Sequence, residues 1–427
     1  MDIKKNNLKI SLLGFSTFLY IFYAMTSYWY SATKIIPFAV GAALQITVLT
    51  MLLLRLLMNI NSLKIYSYDI IWLLFYFYIV FECLYYGYNA YTLAYTVVFL
   101  FSIVAKSDIK LYRTAFNTIK VFSIIYALGT IFQYLLPNLW LKYIYPIFRE
   151  DQQKHLYSWF VSRSRFPGIT NQVGHTAGYL IVGIGLVLCF WSVDENKKQY
   201  KKNAIILILM IIALFLTRKR AHFLFGAASF FVVYWFSRTN ITKRLKVVLG
   251  SILLLIILIV VSQFVEPTSM LGKIRLTFIG IFQGDDISSG RSYLYKVAFT
   301  LFKENPLFGI GFKGFKTEFS QGLLNNDNMY DVHNVYLQLL AENGIIGFLL
   351  FVVPSLMCLI KTINSVKKTR RKKGTYLYAV SLYSLYLQVF FLLYCLTGNP
   401  LYDFNYLYIY FFAVTIGGAV SLRINRT

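Results

Sequence analysis

The chain has 427 residues, 58% hydrophobic and 19% aromatic, with mean hydropathy +0.60 and a formal net charge of +25. That apolar content excludes a soluble globular domain of this size, and the recurring long apolar runs indicate an all-α polytopic membrane protein. The positive charge points to membrane topology rather than to nucleic acid, because most of it sits in short connections between apolar runs.

In chain order, residues 1–136 are expected to hold five transmembrane helices, near 11–30, 36–58, 68–88, 90–105 and 115–136. The basic start, with Lys4, Lys5 and Lys9, leads into an apolar run too long for a signal-peptide core and is read as a retained first helix. Residues 137–170 form an interfacial loop marked by Trp140, Tyr143, Tyr145, Tyr157 and Trp159. Residues 171–264 supply four more helices, near 172–193, 203–217, 222–237 and 246–264. Residues 265–335 are a large loop, and 336–427 complete about twelve helices with segments near 340–360, 376–396 and 404–422. Cys83, Cys189, Cys358 and Cys395 lie in or beside apolar runs without Cys-x-x-Cys spacing, so neither a disulfide framework nor a thiolate metal site is expected.

Sidedness follows from the basic residues. With a cytoplasmic N-terminus, the inward connections contain Arg55 and Lys64, Lys106 to Lys120, Lys197 to Lys202, Arg238 to Lys246, the run Lys367 to Lys373, and Arg423 and Arg426. Both termini then face inward. The loops 137–170 and 265–335 fall outside, where long loops escape the charge rule. The turn Arg218-Lys219-Arg220 does not escape it. It is a tight connection between two apolar helices on the outer side, and three cations there point to an anion to be bound.

Within 137–170, Arg163 and Arg165 precede the Phe166-Pro167-Gly168 turn, with Asn171 near the start of the next helix. The plain alternative is a surface strap with solvated arginines. In 265–335, Leu294, Ala298, Leu301 and Phe302 recur at helical spacing after Gly290-Arg291, so an amphipathic helix is expected, capped by Ser288 or Ser289 and ended by Asn305-Pro306. Arg291 would stand at its first turn, where free backbone N–H groups also favour an anion. Gly309-Ile310-Gly311-Phe312-Lys313-Gly314 spells a dinucleotide fingerprint but follows a helix and a proline, not a strand, so it reads as a compact turn against the membrane surface. Asp285-Asp286 is the acidic pair on this side, and it lacks His or Cys at ligand spacing, so no metal is expected.

Of the four histidines, His155, His175 and His222 sit where a structural role is the ordinary outcome. His333 follows Asp331, a plausible helix cap, which would put the imidazole in the first turn of a helix, where the dipole favours its neutral form while Asp331 opposes the shift. A neutral imidazole is what a general base needs. Glu342 would orient a neighbour or pair with an arginine, and Gly344 and Gly347 indicate close helix packing.

The series Leu216-Thr217-Arg218-Lys219-Arg220-Ala221, Gly290-Arg291, Asn305-Pro306-Leu307-Phe308-Gly309-Ile310-Gly311, His333-Asn334-Val335-Tyr336-Leu337-Gln338 and Ala341-Glu342-Asn343-Gly344-Ile345-Ile346-Gly347 resembles the O-antigen ligase / Wzy-type polysaccharide polymerase superfamily. It covers roughly 165–355; the N-terminal helices match only in number and hydrophobicity. The resemblance implies a GT-C-like membrane enzyme of the bacterial cytoplasmic membrane, with its site on the extracytoplasmic face. It implies inverting glycosyl transfer from an undecaprenyl-pyrophosphate-linked glycan without a metal or other cofactor. It makes His333 the base and Arg220 and Arg291 the catalytic pyrophosphate-binding arginines, with Arg218, Arg165, Arg163, Asn171, Asn334 and Tyr336 as substrate-binding residues. Lys219 departs from the small residue common in the family and leaves open which of Arg218 and Arg220 meets phosphate. The implied partners are the lipid-linked donor and acceptor, the bilayer, and flippase and chain-length-regulating proteins. Polymerase is the leading reading. A ligase acting on lipid A core, a protein O-oligosaccharyltransferase, a metal-dependent wall-glycan polymerase using Asp285 or Asp286, and a lipid-linked oligosaccharide flippase are the alternatives.

Overall fold

A computed structural model describes residues 2–58, 60, 63–107, 112–193, 197–265, 269–283, 290–316, 330–372 and 374–425. The described residues are mostly helical, with no strand beyond an isolated bridge between Thr33 and Phe148. The chain is an all-α polytopic membrane protein: among the described residues, eight helices are long and apolar enough to cross a membrane, and the apolar helix Asn89–Val104 is shorter.

The N-terminal helices are α1 (Asp2–Ala32), α2 (Phe38–Met58), α3 (Ser67–Tyr85), α4 (Asn89–Val104) and α5 (Tyr112–Leu135). The strap between α5 and the next span folds as two short helices, α6 (Pro137–Tyr143) and α7 (Glu150–Tyr157), then a wider turn at Ser158–Ser162. The central helices are α8 (Val173–Trp191), α9 (Lys197–Thr217), α10 (Arg220–Ser237) and α11 (Ile241–Ser262), followed by α12 (Met270–Gln283) and α13 (Ser292–Glu304). The C-terminal helices are α14 (Val335–Thr369), α15 (Tyr376–Tyr394) and α16 (Phe404–Ile424). Each of the twelve expected spans falls mainly on a helix, several running past its end, as 68–88 does beyond Tyr85. The amphipathic helix is α13, which buries Leu294, Ala298 and Leu301 against the first turns of α14. Ser288, Ser289, Asp285 and Asp286 lie outside the described residues.

Helices α8, α15 and α16 form the centre, buried nearly all round, while α2 and α9 turn most of their surface outward. A helix apolar on every face is what such a central position requires. Small residues let these helices approach closely: a Cβ on Gly185 would lie 2.1 Å from the Tyr386 ring. At the end away from His333, Lys106 pairs with Asp69, both side chains about 2% exposed.

Helix α14 is broken at Gly344, which takes φ +61°. The break frees backbone groups, and the glycine turn after α13 takes them up. Ile310 N–H donates to the Ala341 carbonyl (3.0 Å), Gly311 N–H to the Glu342 carbonyl (2.7 Å), and Ile345 N–H to the Pro306 carbonyl (2.8 Å). Irregular backbone inside a membrane protein is tolerated where protein re-satisfies it in this way. The close approach expected at Gly344 is therefore with a loop rather than with another helix, and it holds α13 against the His333 end of the bundle.

Candidate functional site

Four chain segments converge at that end. The α9–α10 connection consists of Arg218 and Lys219 alone, and Arg218 adopts a left-handed backbone (φ +54°), so successive cationic side chains splay from one tight turn. The strap is tied to this turn by Phe166 N–H donating to the Leu216 carbonyl (3.3 Å). Trp159 lies under the cations, with the Arg163 and Arg165 guanidinium carbons 4.7 and 5.0 Å from its ring centre and Lys219 Nζ at 5.7 Å. Arg291 stands at the N-terminus of α13 and donates to the Thr397 carbonyl (2.8 Å), joining the loop to the α15–α16 connection. Val335 N–H donates to the Cys395 carbonyl (2.8 Å) and fixes the His333 loop to the same connection.

Together these segments enclose a cavity of about 240 Å³. Arg165, Arg218, Lys219, Arg220 and Arg291 line it together with His333, Asp331 and Asp403. His175, His222, Tyr394, Thr397 and Asn399 complete its wall. Five cations around so small a space repel one another, and burial with this repulsion weakens the hold of Lys219, Arg165 and Arg220 on their protons. Burial first, then Arg165 and Arg291, pushes the Lys219 ammonium down to about 8, against the pull of Asp403. Burial, followed by Arg163, Arg220 and Arg218, holds Arg165 below its usual range. An anion entering the cavity relieves this strain. Asp331 is engaged elsewhere, with Lys316 at 3.5 Å.

His333 is half-buried and adopts a left-handed backbone (φ +57°), a conformation costing a non-glycine residue about 1–3 kcal/mol. Asp331 does not cap the helix, and His333 is not in its first turn. Asn334 is the cap: its side-chain oxygen accepts from Tyr336 N–H (3.0 Å) and Leu337 N–H (3.2 Å), which supplies the acceptor the first turn needs. The imidazole is pushed down to about 4, by burial first and then by Arg291, with Asp331 opposing; the helix dipole is not needed. His333 is thus neutral near pH 7.

Arg165, Arg218, Arg220, Arg291 and His333 are brought together; Arg163, Asn171, Asn334 and Tyr336 do not line the cavity. Arg163 is exposed on the strap. Asn171 bonds Gln152 Oε1 (3.0 Å) and His175 Nδ1 (3.1 Å). The Tyr336 hydroxyl donates to the Leu392 carbonyl (2.8 Å) between helices. Among the described residues Glu342 meets no arginine; it accepts from the Tyr402 hydroxyl (2.6 Å) and Gln338 (3.0 Å). Sequence reasoning missed Asp403 and Asn399 in the α15–α16 connection, which had drawn no attention because it carries no basic residue. Asp403 is pushed up to about 7 by burial and then by Asp331, so its carboxyl is partly protonated near neutrality.

Residues 205–352 match the family model described as O-antigen ligase. That stretch runs from α9 through the arginine turn, Arg291 and His333 to the middle of α14, so it contains two of the four segments that build the cavity, the α9–α10 turn and the loop carrying Arg291 and His333. This stretch is similar to the O-antigen ligase domain. The O-antigen ligase/Wzy superfamily resemblance read from the motifs is thereby supported, and with it a glycosyltransferase-like membrane enzyme of the ligase and polymerase class. A search of curated proteins finds no match to the chain.

Proposed function

We propose that this protein is a polysaccharide polymerase. It moves a glycan from one undecaprenyl-pyrophosphate carrier to a hydroxyl at the non-reducing end of a second lipid-linked repeat unit. The observation that carries the reading is the juxtaposition of five cations with the neutral imidazole of His333 in a single cavity. The acceptor oxygen attacks the anomeric carbon opposite the diphosphate. The new C–O bond forms as the bond to the diphosphate breaks, and the acceptor's proton passes to His333. Inversion follows from a single displacement. The departing diphosphate gains charge as it leaves, and guanidinium forks meet that charge through paired, charge-assisted hydrogen bonds. Arg291 and Arg220 are assigned to this grip, with Arg218, Arg165 and Lys219 adding to the field.

His333→Ala is expected to lower turnover by about 10²–10⁴-fold, the range for losing a positioned base, with the protein still folded. Long polymer from that variant would remove His333 as the base. The deciding experiment supplies purified protein with a defined undecaprenyl-pyrophosphate repeat unit. A ladder of products is expected. Single transfer appearing only with a separate acceptor would make the protein a ligase, and leaflet exchange without transfer would make it a flippase.

A further inference from the structure

Four buried polar atoms around the cavity have no hydrogen-bond partner among the described residues: Arg165 Nε, a donor among the cations, and His222 Nδ1, Thr397 Oγ1 and Asn399 Oδ1. Leaving such groups unmet is costly, and their gathering around one cavity calls for a ligand with matching chemistry. The state of His222 can be worked out from its neighbours. The Tyr406 hydroxyl donates to the Gly174 carbonyl (2.8 Å), which uses its single proton. His222 Nε2 lies 2.7 Å from that hydroxyl oxygen, so Nε2 must be the donor. In the neutral ring Nδ1 is then a bare acceptor. His222 is about 1% exposed and held between Tyr394 and Phe390, so the ring cannot turn freely to change this assignment.

We infer that His222, with Asn399 and Thr397, forms a sugar subsite in which His222 Nδ1 and Asn399 Oδ1 accept hydrogen bonds from hydroxyl groups of the donor's first sugar. A cation wall suits diphosphate, which offers acceptors only. It has no use for two further acceptors, whereas a sugar brings O–H donors. The subsite borders the arginines in the same cavity, His222 two residues beyond Arg220 and Thr397 bonded through its carbonyl to Arg291 (2.8 Å), as a sugar attached directly to the diphosphate requires. His222 is a positioning residue here, distinct from the base. This rests on the proposed use of a glycosyl diphosphate lipid, and its test separates the two ideas.

The test measures binding of undecaprenyl diphosphate, with and without one attached hexose, to the full-length protein in lipid nanodiscs. The wild type is expected to bind the hexose-bearing lipid about 10-fold more tightly, the scale of one or two satisfied buried acceptors. His222→Gln keeps an N–H donor for Tyr406 but has no acceptor at the Nδ1 position. It should lose that preference while binding the sugar-free lipid as the wild type does, which also shows that it is folded. His222→Asn places an oxygen near the Nδ1 position and should keep the preference. Preference retained in His222→Gln, equal loss in both variants, or no preference in the wild type would each overturn the subsite. Failure of the wild type to bind the sugar-free lipid, or binding unaffected by Arg291→Ala, would overturn the diphosphate reading beneath it.

Discussion

Among the cations around the cavity, Lys219 is the one whose charge changes within an accessible pH range, because burial and its arginine neighbours push it down to about 8. Raising the pH through that value removes one positive charge from the diphosphate grip in the free enzyme. kcat/KM for the donor should therefore fall as pH rises through about 8. Lys219→Arg should remove the fall near 8, since a guanidinium stays charged throughout, and leave the effect of Asp403 ionising at about 7. His333, neutral above about 4, should contribute no limb near 6.5. A limb near 8 that survives in Lys219→Arg would reassign it. The arginine turn was legible in the sequence because three cations between apolar helices on the outer side break the ordinary charge distribution. His222, Thr397 and Asn399 were not legible. Each is an ordinary residue locally, and what singles it out is a cavity assembled by segments more than a hundred residues apart.

Two elements set the position of His333, and both can be tested separately from chemistry. Asn334 caps α14 through its side-chain oxygen, so Asn334→Ala should cost about 1 kcal/mol of stability, read as a lower unfolding temperature in detergent. Asn334→Ser retains a cap and should restore both stability and activity; a stable but inactive serine variant would return Asn334 to substrate contact. The break at Gly344 fixes the other element. A Cβ there would lie 2.2 Å from the Leu307 carbonyl oxygen, on a backbone that L side chains rarely adopt. Gly344→Ala should cost about 1–3 kcal/mol from backbone strain before the clash is counted. It should also loosen α13, weakening donor binding through Arg291. The amphipathic α13 was readable from its 3.6-residue period. The broken start of α14 was not, because an interrupted helix retains the apolar pattern of a continuous one, and only the pairing with Pro306 to Gly311 reveals the break.

At the scale of the whole molecule, the reading depends on which side of the membrane the cavity faces. From Ile345 to Thr369, α14 rises about 37 Å, more than the thickness of a hydrocarbon core. The His333 end and the basic Lys367–Lys372 end therefore belong to opposite surfaces. Lys34 shares the His333 end, since its N–H donates to the Ile147 carbonyl of the strap (2.8 Å). Charge bias predicts that this end faces outward, because anionic lipid and the insertion machinery retain short basic loops inside. All four native cysteines are buried, so a single added thiol can be read against a quiet background. Lys34→Cys should react with a membrane-impermeant maleimide in intact cells. Lys367→Cys, equally exposed at the far end, should react only after permeabilisation. The reverse pattern would put the cations and His333 on the inner face, away from glycans presented at the outer leaflet. The cavity chemistry could then stand, but its substrate would have to be a lipid-linked sugar still facing the cytoplasm.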